Sequence, residues 1–192
     1  MKANKETWVK AQIAERKFHT HSFEEGSNHY NDSYNQYFEY LDIKPSIDKV
    51  IMEIGCADFP ALSYCQLKTK CYIIEPMPSE ILLNIISKSD NLILIDKPFE
   101  EIENLPQVDE VWLMNVLHHV IDPDVILSKC KKISNTIRYF EPINAPLNEC
   151  HLHIFDIDYF KKFFGTSVKH YPKNNTAINF HQWECAYGVW NK

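Results

Sequence analysis

Two carboxylates and the small turn between them are the groups best placed to do chemistry. Glu53-Ile54-Gly55-Cys56-Ala57-Asp58 follows the apolar run Val50-Ile51-Met52, and Glu75 closes the next apolar run, 20 residues after Gly55. Small residues after a buried strand let a nucleotide-like ligand approach the backbone where a large side chain would block it. Phe59-Pro60 then opens a pattern that reads as a helix over 59–67, whose first N–H groups would face that ligand. A carboxylate at Glu75 can accept both hydroxyls of a ribose; the alternative is a solvated acid ending a strand. The stretch predicts a nucleotide-type cofactor site.

Histidines supply the second set. His118 and His119 follow an apolar run ending at Asn115, and imidazole titrates near working pH, as a general base for a hydroxyl must. Adjacent residues on a helix turn away from each other, so at most one of the pair is expected to face a cleft. His151 and His153 flank Leu152, a spacing that puts both on one face of an extended segment. With Glu141 or Glu149 they can make a metal site or a proton-handling pair. No third ligand is identified, so they are read as polar loop residues and no metal is assigned.

Short strands alternating with helices must position these groups. Strands are predicted at 50–54, 71–74, 92–95, 108–114 and 136–140, with helices at 59–67, 79–87 and from Asp122-Pro123 to about Lys132. Such short apolar strands suit a parallel sheet covered on both faces. Pro142 and Pro146 then mark a loop, Asp156 starts a helix closed by Gly165, and 167–171 and 183–190 alternate like an antiparallel pair joined by an Asn-rich segment. The resulting fold class is α/β: a doubly wound, mostly parallel seven-stranded sheet with helices on both faces and a C-terminal antiparallel hairpin. Upstream, 5–19 reads as an amphipathic helix bearing Trp8, Ala11, Ile13, Ala14 and Phe18, and 20–30 as a loop containing Gly26, Ser27 and Asn28. Asp32 caps a second helix reaching about Asp42, with Tyr34, Tyr37, Phe38 and Leu41 as its stripe.

The 192 residues, 45% of them hydrophobic, suffice for a real core, and a net charge of −6 disfavours a nucleic-acid partner. No pair among Cys56, Cys65, Cys71, Cys130, Cys150 and Cys185 has the two-residue spacing of a zinc or redox motif. MKANKETWVK lacks the apolar core of a signal peptide and no stretch reaches a membrane span, so a cytoplasmic protein with free thiols and no membrane partner is expected.

This ordered set resembles the class I methyltransferases that use S-adenosylmethionine (SAM). EIGCA at 53–57 is similar to the family's acidic-x-Gly-x-Gly turn, with Ala57 at the second glycine. Glu75 stands where the family keeps its ribose acid. VDEVWLMNVLHHVIDP at 108–123 looks like its fourth strand and following segment, and IRYFEPIN at 137–144 like its fifth strand and substrate-facing loop. The resemblance covers roughly residues 48–190 and implies SAM as cofactor. It places Glu53, Gly55, Cys56, Ala57, Glu75, Pro76, Met77, Phe99, Glu100 and Asn115 at the cofactor. Glu53 would support the aminoacyl end or else brace the turn. Phe99 with Asp96 or Glu100 would recognise adenine or else form an acidic loop beside a core Phe, and Asn115 would hold the methionine ammonium.

Methyl transfer to a small hydroxyl-bearing molecule is the function this implies, with His118, His151 and His153 as catalytic candidates. Residues 1–46 would form a helical cap and 47–192 the SAM-binding domain. Trp8, Gln12, Phe18, Tyr30 and Tyr34 are candidate lid residues, although such stripes are more often packing. A non-catalytic SAM-binding or regulatory module is the alternative. An NAD-type dehydrogenase fits less well, because Ala57 and Pro60 break the G-x-G-x-x-G spacing twice.

Overall fold

Apolar runs of four or five residues become the inner strands, and capping side chains set where the helices between them begin. The computed structural model describes residues 2–24, 29–172 and 183–192, and side chains at 2–17, 34–172 and 183–192. In chain order the elements are α1 (Lys5–Glu24), α2 (His29–Tyr40), β1 (Ser46–Ile47), β2 (Ile51–Ile54), β3 (Gln66–Leu67), β4 (Cys71–Ile74), α3 (Glu80–Ser87), β5 (Leu92–Ile95), β6 (Glu110–Met114), α4 (Pro123–Ile133), β7 (Thr136–Ile143), α5 (Ile157–Phe164), β8 (Lys169–Tyr171) and β9 (Glu184–Asn191). Ser79 caps α3 by accepting from the Leu82 N–H, Asp122 caps α4 from Val125, and Asp156 caps α5 from Tyr159.

Seven strands form one sheet in the order β5-β4-β2-β6-β7-β9-β8. The first five are parallel, and β9 runs antiparallel to both β7 and β8. This is the doubly wound sheet with a reversed terminal hairpin that the sequence predicts. Alternation along the strands splits the core. Val111, Leu113, Ile137 and Tyr139 pack toward Ile126, Leu127, Phe160 and Phe164 of α4 and α5. Trp112, Met114, Ile73 and Phe140 pack toward Tyr34, Tyr37 and Leu82 of α2 and α3. No helix among the described residues is long and apolar enough to cross a membrane.

Three sequence expectations need correction. Residues 59–67 are not a helix: a short 3₁₀ turn covers Ala61–Tyr64, and Gln66–Leu67 pairs in parallel with Ser46–Ile47 as a separate two-stranded sheet. Non-local pairing there overrides the local apolar pattern. Pro142 lies inside β7 rather than in a loop. Phe140 turns its carbonyl toward Asn115, so Pro142, two residues on, turns its nitrogen to that same side, past the end of β6 at Met114. Its missing N–H therefore costs no ladder bond.

The loop expected at 20–30 is the third. Helix α1 continues to Glu24 and α2 begins at His29, ahead of the Asp32 cap. Gly26, Ser27, Asn28 and the Asn-rich joining segment lie outside the described residues, as do the side chains of Phe18, Tyr30 and Asp32.

Candidate active site

Strand order reverses between β2 and β6, and ligands of open α/β sheets bind in the crevice at such a switch, beyond the carboxyl ends of the strands. Gly55 leaves β2 with φ +68°, its N–H bonded to the Ile74 carbonyl at 2.8 Å. A Cβ at this glycine would stand 2.2 Å from Val116 Cγ2. Ala57 also takes a left-handed conformation, φ +50°, which a glycine would adopt without strain.

Glu75 reaches into this turn from the end of β4. Its Oε2 accepts the Ala57 N–H and its Oε1 the Met77 N–H, both at 3.2 Å. The residue is 7% exposed. Burial raises its pKa, while the N–H groups of Met77, Ala57 and Cys56 and the charge of Arg16 pull it down. Pro76 and Met77 continue the rim half-buried, and burial lifts the Cys56 thiol well above its ordinary pKa, so it is no nucleophile.

Glu53 points the other way. Its carboxylate accepts the Ala61 and Leu62 N–H groups at 2.8 and 3.0 Å, binding the turn from beneath. Those are the N–H groups the sequence reading aimed at a ligand; an internal carboxylate takes them instead. Burial pushes the Glu53 pKa up to about 7 against these two bonds.

Asn115, half-buried at the end of β6, has φ +60° and donates its N–H to the Phe140 carbonyl at 2.8 Å. Behind it lies Glu141, fully buried, accepting from Val116 and Leu117 at 3.0–3.1 Å. Glu141 thus sets the backbone that packs on Gly55. Sequence reasoning gave it no such part, although an acid inside the apolar strand IRYFEPI is the available signal.

Past β5 the expected adenine contacts have other tasks. Phe99 is 2% exposed within the core. Glu100 Oε1 accepts the Ile121 and Asp122 N–H groups at 2.9 and 3.2 Å, tying its 3₁₀ turn to the start of α4. Asp96 is exposed.

The histidines regroup. Leu117–His119 is a 3₁₀ turn, and the adjacent rings do not diverge: the centroids of His118 and His119 are 3.9 Å apart. His151 joins them, its centroid 4.4 Å from His118 and 5.1 Å from His119. His118 is 1% exposed, with Nδ1 3.9 Å from Glu141 Oε2. His153 is buried with Nε2 2.8 Å from the Val120 carbonyl, so the pairing of His151 with His153 gives way to a pairing of His151 with the 118–119 turn. The bond from Leu152 N–H to the His118 carbonyl, 2.8 Å, holds the two segments together.

Helix α1 lies against this turn. Gln12 Nε2 donates to the His119 carbonyl at 3.0 Å, and the Ala3 N–H donates to Ile121 at 2.9 Å. Trp8 and Ala11 are buried, whereas Ile13 is 43% exposed. Tyr34 of α2 donates its hydroxyl to the Phe59 carbonyl.

No protein-family model and no curated protein matches the chain. Solved structures do. The N-methyltransferase NodS from Bradyrhizobium japonicum WM9, in complex with S-adenosyl-L-homocysteine (SAH), aligns at TM-score 0.62 and 11% identity over 86% of this chain and 88% of its own. The 1,6-didemethyltoxoflavin-N1-methyltransferase of Burkholderia thailandensis, with SAH and 1,6-didemethyltoxoflavin bound, aligns at 0.63 and 11% over 94% and 88%. The plantazolicin methyltransferase BpumL, also with SAH, aligns at 0.59 and 12% over 97% and 96%. The fold is that of the class I SAM-dependent methyltransferases.

Proposed function

We propose that this chain is a SAM-dependent methyltransferase acting in the cytoplasm on a small, hydroxyl-bearing acceptor. The observation that carries the reading is Glu75. Its oxygens hold the Ala57 and Met77 N–H groups, with a further bond from Cys56, and a remaining lone pair can accept from a ribose hydroxyl, beside a left-handed turn of small residues at the switch point. These residues fit an adenosyl group. Gly55, Cys56 and Ala57 would lie along the cofactor, Pro76 and Met77 would flank Glu75, and Asn115 would take the methionine ammonium. Glu53 braces the turn, and Phe99 and Glu100 support the adenine side from behind.

When bound, SAM supplies a methyl group already activated on a sulfonium. The chain's task is then to align the acceptor and exclude water, which α1 serves by covering the 118–121 turn. His118 and His151 are assigned to the acceptor side, where an imidazole lone pair can draw on a hydroxyl proton. His153 holds the Val120 carbonyl and positions that segment.

Calorimetric titration with SAM and with SAH tests the cofactor, followed by methyl-transfer assays on hydroxyl and amine acceptors, since two of the similar structures are N-methyltransferases. Micromolar binding of both ligands with turnover supports the enzyme. Binding without turnover across the panel favours a SAM-binding regulatory module, and retention of NADH in place of SAM overturns both.

A further inference from the structure

We propose that His118, His119 and His151, with Glu15 as a fourth donor, form a binding site for a divalent d-block cation, zinc by its donor set. One ligand atom of each imidazole lies within 4.8 Å of the other two, the one such grouping among the described residues. Donors about 2.0–2.2 Å from a tetrahedral zinc stand about 3.3–3.5 Å apart, so side-chain rotation of roughly an ångström closes the group on an ion.

Hydrogen bonding around the rings favours coordination over mere ring packing. His119 Nδ1 meets the Cys150 carbonyl at 3.1 Å; a carbonyl only accepts, so Nδ1 carries a proton and Nε2 is the atom that a neutral ring offers to a metal. That Nε2 faces Glu15 Oε1 at 3.7 Å, close to the spacing of two donors on one ion. Metal-binding imidazoles commonly donate their other N–H to a carbonyl or carboxylate in this way. His118 Nδ1 stands 3.9 Å from Glu141 Oε2, so this carboxyl flanks the ring beyond normal hydrogen-bond length. The His151 ring hydrogen-bonds to the Pro146 backbone; a proline backbone only accepts, so one ring nitrogen carries a proton and the other is the atom a neutral ring offers to a metal. The Cys150 thiol hydrogen-bonds to Glu15 and so orients the carboxylate.

The four donors come from three places: α1, the turn after β6 and the segment after β7. An ion among them would clasp α1 to the rim of the crevice. The site stands on these side chains and not on the methyltransferase reading.

Metal-stripped protein titrated with Co²⁺ and then Zn²⁺ provides the test. The expected result is one Co²⁺ per chain, with the visible absorption of a low-coordinate nitrogen–oxygen site, displaced by Zn²⁺. Addition of Zn²⁺ should also slow amide exchange across α1. His151→Ala and Glu15→Gln, each first checked for folding by circular dichroism, should weaken Zn²⁺ binding by about tenfold or more. Should His151→Ala unfold, Glu15→Gln on the helix carries the same comparison. An unchanged Co²⁺ spectrum in the wild type, or undiminished uptake by the folded variants, overturns the site. SAH titration of the same samples separates the two readings: SAH binding without metal uptake discards only the metal site, and metal uptake without SAH binding discards only the cofactor.

Discussion

Gly55 and Val116 meet across the switch point so closely that a Cβ on the glycine would lie 2.2 Å from Val116 Cγ2. With φ at +68°, Gly55→Ala meets both a clash and a strained backbone. The left-handed conformation costs about 1–2 kcal/mol and overpacking about 1–3 kcal/mol, so a loss of about 2–5 kcal/mol is expected from denaturant midpoints. Val116→Ala in the same chain should recover the steric part and leave the backbone part. An unshifted midpoint in the single variant would refute this account.

Ala57 is the contrasting position. Its φ of +50° is strained for any residue with a Cβ. Ala57→Gly should relieve about 1 kcal/mol of backbone strain and lose about 0.4–1 kcal/mol to the freer unfolded chain, a net change near zero. Cofactor affinity should hold or improve. A severe loss of either would show that the methyl group is needed.

Glu75→Ala should weaken SAM binding by at least tenfold, on the order of 1.4 kcal/mol, for a lost charge-assisted contact. It also releases the N–H groups of Ala57 and Met77, so the fold is monitored alongside by thermal melting. An unchanged dissociation constant in a folded variant sinks the ribose assignment.

Glu53 predicts a pH dependence of stability. Its folded pKa of about 7 lies above the ordinary 4.5, so the folded chain keeps a proton that the unfolded chain has already released. That contribution is full below about pH 4.5 and fades as pH rises through 7. Glu53→Gln removes the titration and should flatten this fall in the unfolding free energy, whatever its effect on absolute stability. Identical slopes for the variant and the wild type would rule Glu53 out as the source.

Much of the fold was written locally. Short apolar runs, caps at Ser79, Asp122 and Asp156, and Gly165 after α5 specify strands and helices through interactions within a few residues, so they can be read along the chain. The Gly55 turn and the acid at Glu75 were legible for the same reason: a strand end fixes where its next side chains point. The helix expected at 59–67 failed because its outcome is decided elsewhere, by Glu53 taking two N–H groups and by residues 46–47 pairing with 66–67.

Sequence alone therefore determined the order of the seven main-sheet strands and the helices after β4, the parallel sheet and the residues at the ends of β2 and β4. Tertiary structure decided which histidines meet, because His118 and His151 lie 33 positions apart and are brought together by contacts between the two segments, among them the bonds from Leu152 to His118 and between His119 and Cys150. It also decided that Glu15 faces His119 and that Glu141 sets the backbone beneath Asn115. Both contacts depend on how a helix docks and a strand aligns, and burial energy summed over the whole core governs that choice more than any local pattern does.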